Sequence, residues 1–146
     1  MHPRRKAREW VLQGLYSMAI SKEDKDKVLA DILARGNPQK KIRSFVENLF
    51  TTCVDKQEWC EEQIKSHLQN WDMDRVALLD KLVLIMGICE IHFIDEVPPK
   101  VAISEAIEIA KIFSTDESAS FVNGILDAVY KNTKAEKTVL NESERE

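Results

Sequence analysis

An all-α fold of about seven helices follows from three features of the sequence. Apolar residues recur at three- and four-residue spacing through most of the chain, the pattern of helices with one buried face. No segment alternates apolar and polar residues as a half-buried strand would. Cap-forming residues, glycine and proline divide the helical runs into ordinary lengths.

The first helix places Ala7, Val11, Gly14, Leu15 and Met18 on one stripe, widened by Trp10, Leu12 and Ala19, while Lys6, Glu9, Gln13 and Ser17 face away. Pro3 suits its first turn. It should end near Ile20, where Ser21-Lys22-Glu23-Asp24 has the capping-box form that starts another helix. The second helix buries Val28, Leu29, Ile32 and Leu33; Gly36 ends it, Asn37 caps the third and Pro38 takes the next position.

From Ile42 the spacing Phe45, Val46, Leu49, Phe50, Cys53, Val54 is helical and continues through Cys60, Ile64 and Leu68. So long a helix does not suit a small domain, and Asp55-Lys56-Gln57-Glu58 offers a second capping box at which to break it. Asn70-Trp71-Asp72 reads as a turn, with Asp72 or Asp74 capping the most apolar helix, which runs from Val76 through Leu79, Leu82, Val83, Met86 and Cys89. Apolar residues nearly surround that helix, so it belongs at the centre. Gly87 inside it costs about 1 kcal/mol against Ala, a cost that a close helix crossing would justify. Val97-Pro98-Pro99 breaks the chain before a final pair. Its first member carries Val101, Ala102, Ala106, Ile107, Ala110 and Phe113; Ser114 to Glu117 cap the last, which packs through Phe121, Val122, Ile125, Leu126 and Val129. Residues 1–131 therefore read as one helical domain. The spacing lapses after Lys131, and 132–146 reads as a disordered tail.

Length and composition suit one globular domain: 146 residues, 44% apolar, 32% charged. Net charge is −4, yet residues 1–8 hold four bases and no acid, leaving 17 bases against 25 acids in the other 138. An acidic body with a basic end meets polyanions through that end. Cys53, Cys60 and Cys89 are odd in number and fit no zinc-ligand spacing, which points to reduced thiols in a cytosolic core. No run of about 18 apolar residues is present, so no membrane span is expected.

The basic end is the functional signal. Arg4, Arg5, Lys6 and Arg8 crowd the start of a helix, where the macrodipole favours acids, so local stability does not ask for them. Arg4 and Arg8 project near the line of the apolar stripe and, on spacing alone, reach past the body towards a ligand. Phosphate oxygens suit guanidinium forks. A solvated N-terminus is the plain alternative, and an Arg-rich transit peptide a third; Glu9 and the apolar helix that follows argue against the latter.

Catalytic groups do not converge. His2, His67 and His92 neighbour no cysteine or carboxylate at catalytic or zinc spacing. Cys53 and Cys60 share a buried face and read as small core residues. The four glycines are scattered, so no phosphate-cradling loop exists and no cofactor is implied. Trp10, Trp59 and Trp71 could stack bases, although aromatics at helical spacing more often serve the core.

Two segments resemble a known family. RRKAREWVLQGLYSM at 4–18 is similar to the RRxARExxxQxLY opening of the NusB family of bacterial transcription antitermination factors, and VPPKVAISEAIEIAKIFSTDESASFVNGILD at 97–127 is similar to that family's VPxKVAINEAIELAKxF and FVNGxLD segments. The likeness spans roughly residues 3–131, with Ser104 where the family usually has Asn and Lys6 where it often has Arg. Lys6 gives up bidentate phosphate recognition.

The resemblance implies two packed helical subdomains and no enzymatic activity. It implies binding to boxA RNA of nascent transcripts, notably of ribosomal RNA operons, jointly with the ribosomal protein NusE. The pair would act beside the RNA polymerase elongation complex with other Nus factors and suppress premature termination, in the cytoplasm. Carried over, Arg4, Arg5, Lys6 and Arg8 match the arginine-rich RNA-binding motif, and Gln13 and Tyr16 continue its flank. Glu117, Ser118 and Phe121 match positions beside the arm, suited to an unpaired base, although Phe121 also has core spacing. Asp80, with Lys81 and Leu84, falls on the NusE side, where an acidic face would meet a basic partner. Some relatives dimerise, and the acidic body does not decide whether the free protein does. The alternatives are an adaptor that binds only protein, its arm a non-specific polyanion patch, and a fragment of an RNA methyltransferase whose helical domain is similar; the chain lacks a cofactor-binding glycine motif for the latter.

Overall fold

The computed structural model describes residues 3–68 and 72–145, with side chains as far as Thr133. Seven α-helices and no strand occur among them: α1 Pro3–Ser21, α2 Lys25–Gly36, α3 Lys40–Asp55, α4 Gln57–Ser66, α5 Leu78–Phe93, α6 Pro99–Phe113 and α7 Asp116–Arg145, with a 3-10 turn at Met73–Arg75 before α5. The expected all-α class holds.

Helices α1, α2 and α3 pack together, as do α5, α6 and α7, and α5 also touches α1, α3 and α4. This central place follows from composition, because Leu82 to Ile91 are all buried, which only a helix with neighbours all round can satisfy. Gly87 stands where α5 meets α7: a Cβ there would lie 2.7 Å from Cδ1 of Leu126. The close crossing anticipated at that glycine is present.

Several boundaries differ from the sequence reading. Ser21 does not open a capping box; it completes α1, its hydroxyl donating to the Ser17 carbonyl at 2.7 Å, and Asp24 caps α2 by accepting from the Asp26 amide. Asn37 closes α2 rather than capping α3, in a left-handed conformation with its N–H donating to the Leu33 carbonyl. Gly36 is instead needed for space, since the Trp10 ring lies 3.0 Å from where its Cβ would be. The break between α3 and α4 falls at Lys56 as expected, but without a side-chain cap. α5 starts at Leu78 behind Ala77, so neither Asp72 nor Asp74 caps it. Thr115 does cap α7, accepting from the Ser118 amide at 3.0 Å.

Helical backbone extends past Lys131 to Arg145. No glycine or proline follows Gly124, and Lys134 to Lys137 are good helix formers. Side chains after Thr133, His2, and the Asn70-Trp71 part of the anticipated turn lie outside the described residues.

Candidate nucleic-acid interface

The first turn of α1 sends its basic side chains in different directions, each set by the helical angle at its position. Arg4 lies on the α3 side, its guanidinium 5.2 Å from the centre of the Phe45 ring and 3.1 Å from Oε2 of Glu96. Arg5 turns to α6 and grips Glu105 with two donors, Nε to Oε2 at 2.7 Å and Nη2 to Oε1 at 3.2 Å. That bond and the Glu105 charge hold the Arg5 guanidinium protonated even more firmly than usual. Lys6 is exposed, with only a 3.9 Å approach to Glu9. Arg4, Arg5 and Lys6 thus form a partly solvated cationic rim.

Arg8 does not belong to that rim. It is 1% exposed, with Nε donating to both oxygens of Glu90 at 2.9 and 3.0 Å and Nη2 donating to Oε1 at 2.7 Å. Phe45 covers it from one side. Burial pushes the Glu90 carboxyl up from its ordinary value, and Arg8 pulls in the opposite direction. The position of Arg8 on the apolar stripe was correct; its direction was not, because the stripe leads into the core. Glu9, expected outside, is buried too, and its Oε2 has no hydrogen-bond partner.

Gln13 is exposed on the next turns of α1, and Tyr16 is 42% exposed. Glu117 is exposed in the first turn of α7. Phe121 is half-buried in a groove of about 470 Å³ with Ser66, His67 and Gly124. Arg4 and Lys6 line clefts against α2 and α3 instead, so the basic rim and the Phe121 groove are separate features.

Ser118 and Asp80, expected on the RNA and NusE sides respectively, bind each other: the Ser118 hydroxyl donates to Oδ2 of Asp80 at 3.0 Å. Asp80 is 8% exposed and its Oδ1 is buried without a hydrogen-bond partner. Leu84 is wholly buried. An acidic first turn on α5 still suits the macrodipole, but Asp80 and Leu84 present no open face. Lys81 is partly exposed and paired with Glu61 at 3.2 Å. Their burial has one cause: α5 is surrounded, so a residue on it reaches solvent only near its ends.

Sequence reasoning passed over Lys40 and Lys41, which line the cleft of Arg4 with Phe45 and Glu96. Their signal was legible as two lysines at a helix start without an acid in its first turn. The cysteines are core residues, as read, but Cys60 meets Cys89 rather than Cys53, Sγ to Sγ at 3.6 Å. Contact with Cys89, then burial, pushes the Cys60 thiol up; contact with Cys53 leads the same shift at Cys89. No group of three His, Cys, Asp or Glu among the described residues is placed to hold a metal ion, and no described helix is long and apolar enough to cross a membrane.

The NusB family model matches residues 5–131, which takes in Arg5, Lys6 and Arg8, the central helix and the start of α7. The chain belongs to the NusB family. A transcription antitermination protein NusB of Methylacidiphilum infernorum is 42% identical over 134 residues, covering 91% of this chain and 94% of that protein. The crystallised T. maritima NusB superposes with a TM-score of 0.82 at 32% identity, over 90% of this chain and 92% of that one. A structure of antitermination factors NusB and NusE with double-stranded RNA contains a chain of the same fold, TM-score 0.81 at 24% identity, covering 90% and 98%.

Proposed function

We propose that this chain is a transcription antitermination factor that binds boxA RNA of nascent transcripts, notably ribosomal RNA, as a heterodimer with NusE. The observation that carries the reading is an acid-free, partly exposed basic turn on α1 in a chain of the NusB family. Arg4, Arg5 and Lys6 supply the phosphate contacts. Glu96 and Glu105 hold the two guanidiniums in position until phosphate oxygens exchange for them. Gln13 and Tyr16 extend the surface along α1, and Glu117 and Phe121 receive an unpaired base at the start of α7. Arg8 acts by fixing α1 on α5. Ser118 and Asp80 also bind each other, tying α7 to α5, and Asp80, Lys81 and Leu84 mark the part of α5 assigned to NusE, with Lys81 the most exposed of the three.

The chain works by assembly rather than catalysis, in the cytoplasm, as part of the RNA polymerase elongation complex with other Nus factors. Free of NusE it is proposed to be able to pair with itself through the face NusE would cover. The test is terminator read-through by purified bacterial RNA polymerase on a template with boxA upstream. The reading expects read-through to rise when the chain and NusE are added together and not when boxA is scrambled. Equal read-through on both templates overturns it.

A further inference from the structure

Three adjoining clefts run along the edge formed by α1 and the turn from α2 to α3. The first holds Pro3, Arg4, Lys40, Lys41, Phe45 and Glu96. The second shares Pro3 and Lys41 with it and adds Lys6, Trp10 and Pro38. The third shares Lys6 and Trp10 with the second and adds Gln13, Arg35 and Gly36. Shared walls make them one track, with Trp10 between its last two compartments of about 570 and 310 Å³.

We infer that this track binds a single-stranded RNA segment adjoining boxA, with Trp10 as the platform for an unpaired base and Lys40 and Lys41 as phosphate contacts. The inference rests on the RNA-binding reading above and extends it to residues outside the basic turn of α1.

The charges point to an anion. Lys40, Lys41 and Arg35 pair with no carboxylate among the described residues, and Glu96, the acid in the track, is engaged by Arg4. α1 and α3 both start on this edge, both lack an acid in their first turn and both carry bases there. Those bases weaken each helix in isolation, and a bound phosphate would reverse the penalty at both ends. Gln39 makes no side-chain cap on α3, so the first amides of that helix remain available to the same anion. Arg35 also complements the C-terminus of α2, so the two lysines carry more of the argument.

The aromatic points to a base. Trp10 is half-buried with its ring seated on Gly36, which fixes the ring's orientation. Its indole N–H has no hydrogen-bond partner among the described residues and is not fully buried. A fixed aromatic beside lysines is the arrangement by which single strands are held with little sequence preference. An acidic peptide would use the lysines but gain little from the indole.

The test uses the full chain with NusE and two kinds of RNA: boxA alone, and boxA carrying six uridines at the 5′ or the 3′ end. The readout is the ratio of the two affinities for each protein, so folding losses and arm defects cancel. For the native chain one extension should tighten binding by about threefold to tenfold, as one stacked base and one or two phosphates would. Trp10→Phe should reduce that gain and remove the accompanying quench of tryptophan emission. Lys40→Ala with Lys41→Ala should abolish the gain and lower the salt slope for extended RNA by about one to two.

If neither extension tightens native binding, or if both variants keep the full gain, the track is not an RNA path, while boxA binding itself stands. Competition by polyglutamate but not by extended RNA overturns the proposal in favour of an acidic protein partner. Failure of the native chain to bind boxA alone overturns the function proposed above, and this inference with it.

Discussion

The Arg8 guanidinium is clasped by the Glu90 carboxylate through three hydrogen bonds of 2.7 to 3.0 Å, both side chains being almost fully buried. The pair joins the basic end of α1 to the last turn of α5 and so sets where Arg4, Arg5 and Lys6 emerge. Removing one partner leaves a buried charge alone, which costs about 3–5 kcal/mol. We therefore expect Arg8→Met or Glu90→Leu alone to be strongly destabilising and the double variant to recover most of the loss, as read by urea denaturation. Equal losses that simply add would contradict the coupling.

The rim residues should behave differently. Arg4→Ala with Arg5→Ala is expected to leave the fold close to native stability, since partly exposed ion pairs contribute about 0–1 kcal/mol each. Its effect should fall on RNA, lowering the salt slope of binding by about one to two. An unchanged slope removes these side chains from the phosphate contacts.

Ser118 is held by Asp80, and Oδ1 of that carboxylate already lacks a partner. Ser118→Ala takes away the bond to Oδ2 and is expected to cost about 1–3 kcal/mol. A thermal melt reads the loss; RNA affinity of the folded variant should not change if the hydroxyl serves only to tie α7 to α5.

Much of this arrangement was legible in the chain, and what was not has a common physical origin. Helical spacing located α1 and the enclosed α5, and the cap-like stretches at Asp55–Glu58 and Ser114–Glu117 located the breaks before α4 and α7, because each depends on residues within one or two turns. It even put Arg8 on the buried stripe. What spacing cannot give is the partner: Glu90 is 82 positions away, on a helix whose apolar residues surround it. The burial of Asp80 and Leu84 was hidden for the same reason, since a helix without a polar face offers no sign of which side is covered. Asn37 was read as opening α3 when it closes α2, because the same residue type caps both ends.

Gly87 provides a check on the packing of α5 against α7. Gly87→Ala would gain about 1 kcal/mol of helix propensity, but its Cβ would press on Leu126, a fully buried side chain. Overpacking of that kind costs about 1–3 kcal/mol, so a net loss is expected on chemical denaturation. A stabilised variant would mean that the two helices sit farther apart.

The thiols should be inert in the folded protein. All three are buried and contact among Cys53, Cys60 and Cys89, with burial, pushes the thiols of Cys60 and Cys89 far up, so little thiolate is present to react. A chromogenic disulfide reagent should titrate them slowly in buffer and promptly in denaturant. Fast native reaction would place at least one of them near the surface.

The central claim is that the basic turn of α1, held on α5 by Arg8 and Glu90, recognises boxA RNA together with NusE. Fluorescence anisotropy of a boxA RNA and a scrambled RNA of equal length, at two salt concentrations, with and without purified NusE, tests it most directly. The account predicts tighter binding of boxA, a further gain with NusE and a steep salt dependence. Equal, weak binding of both RNAs with no response to NusE would contradict it.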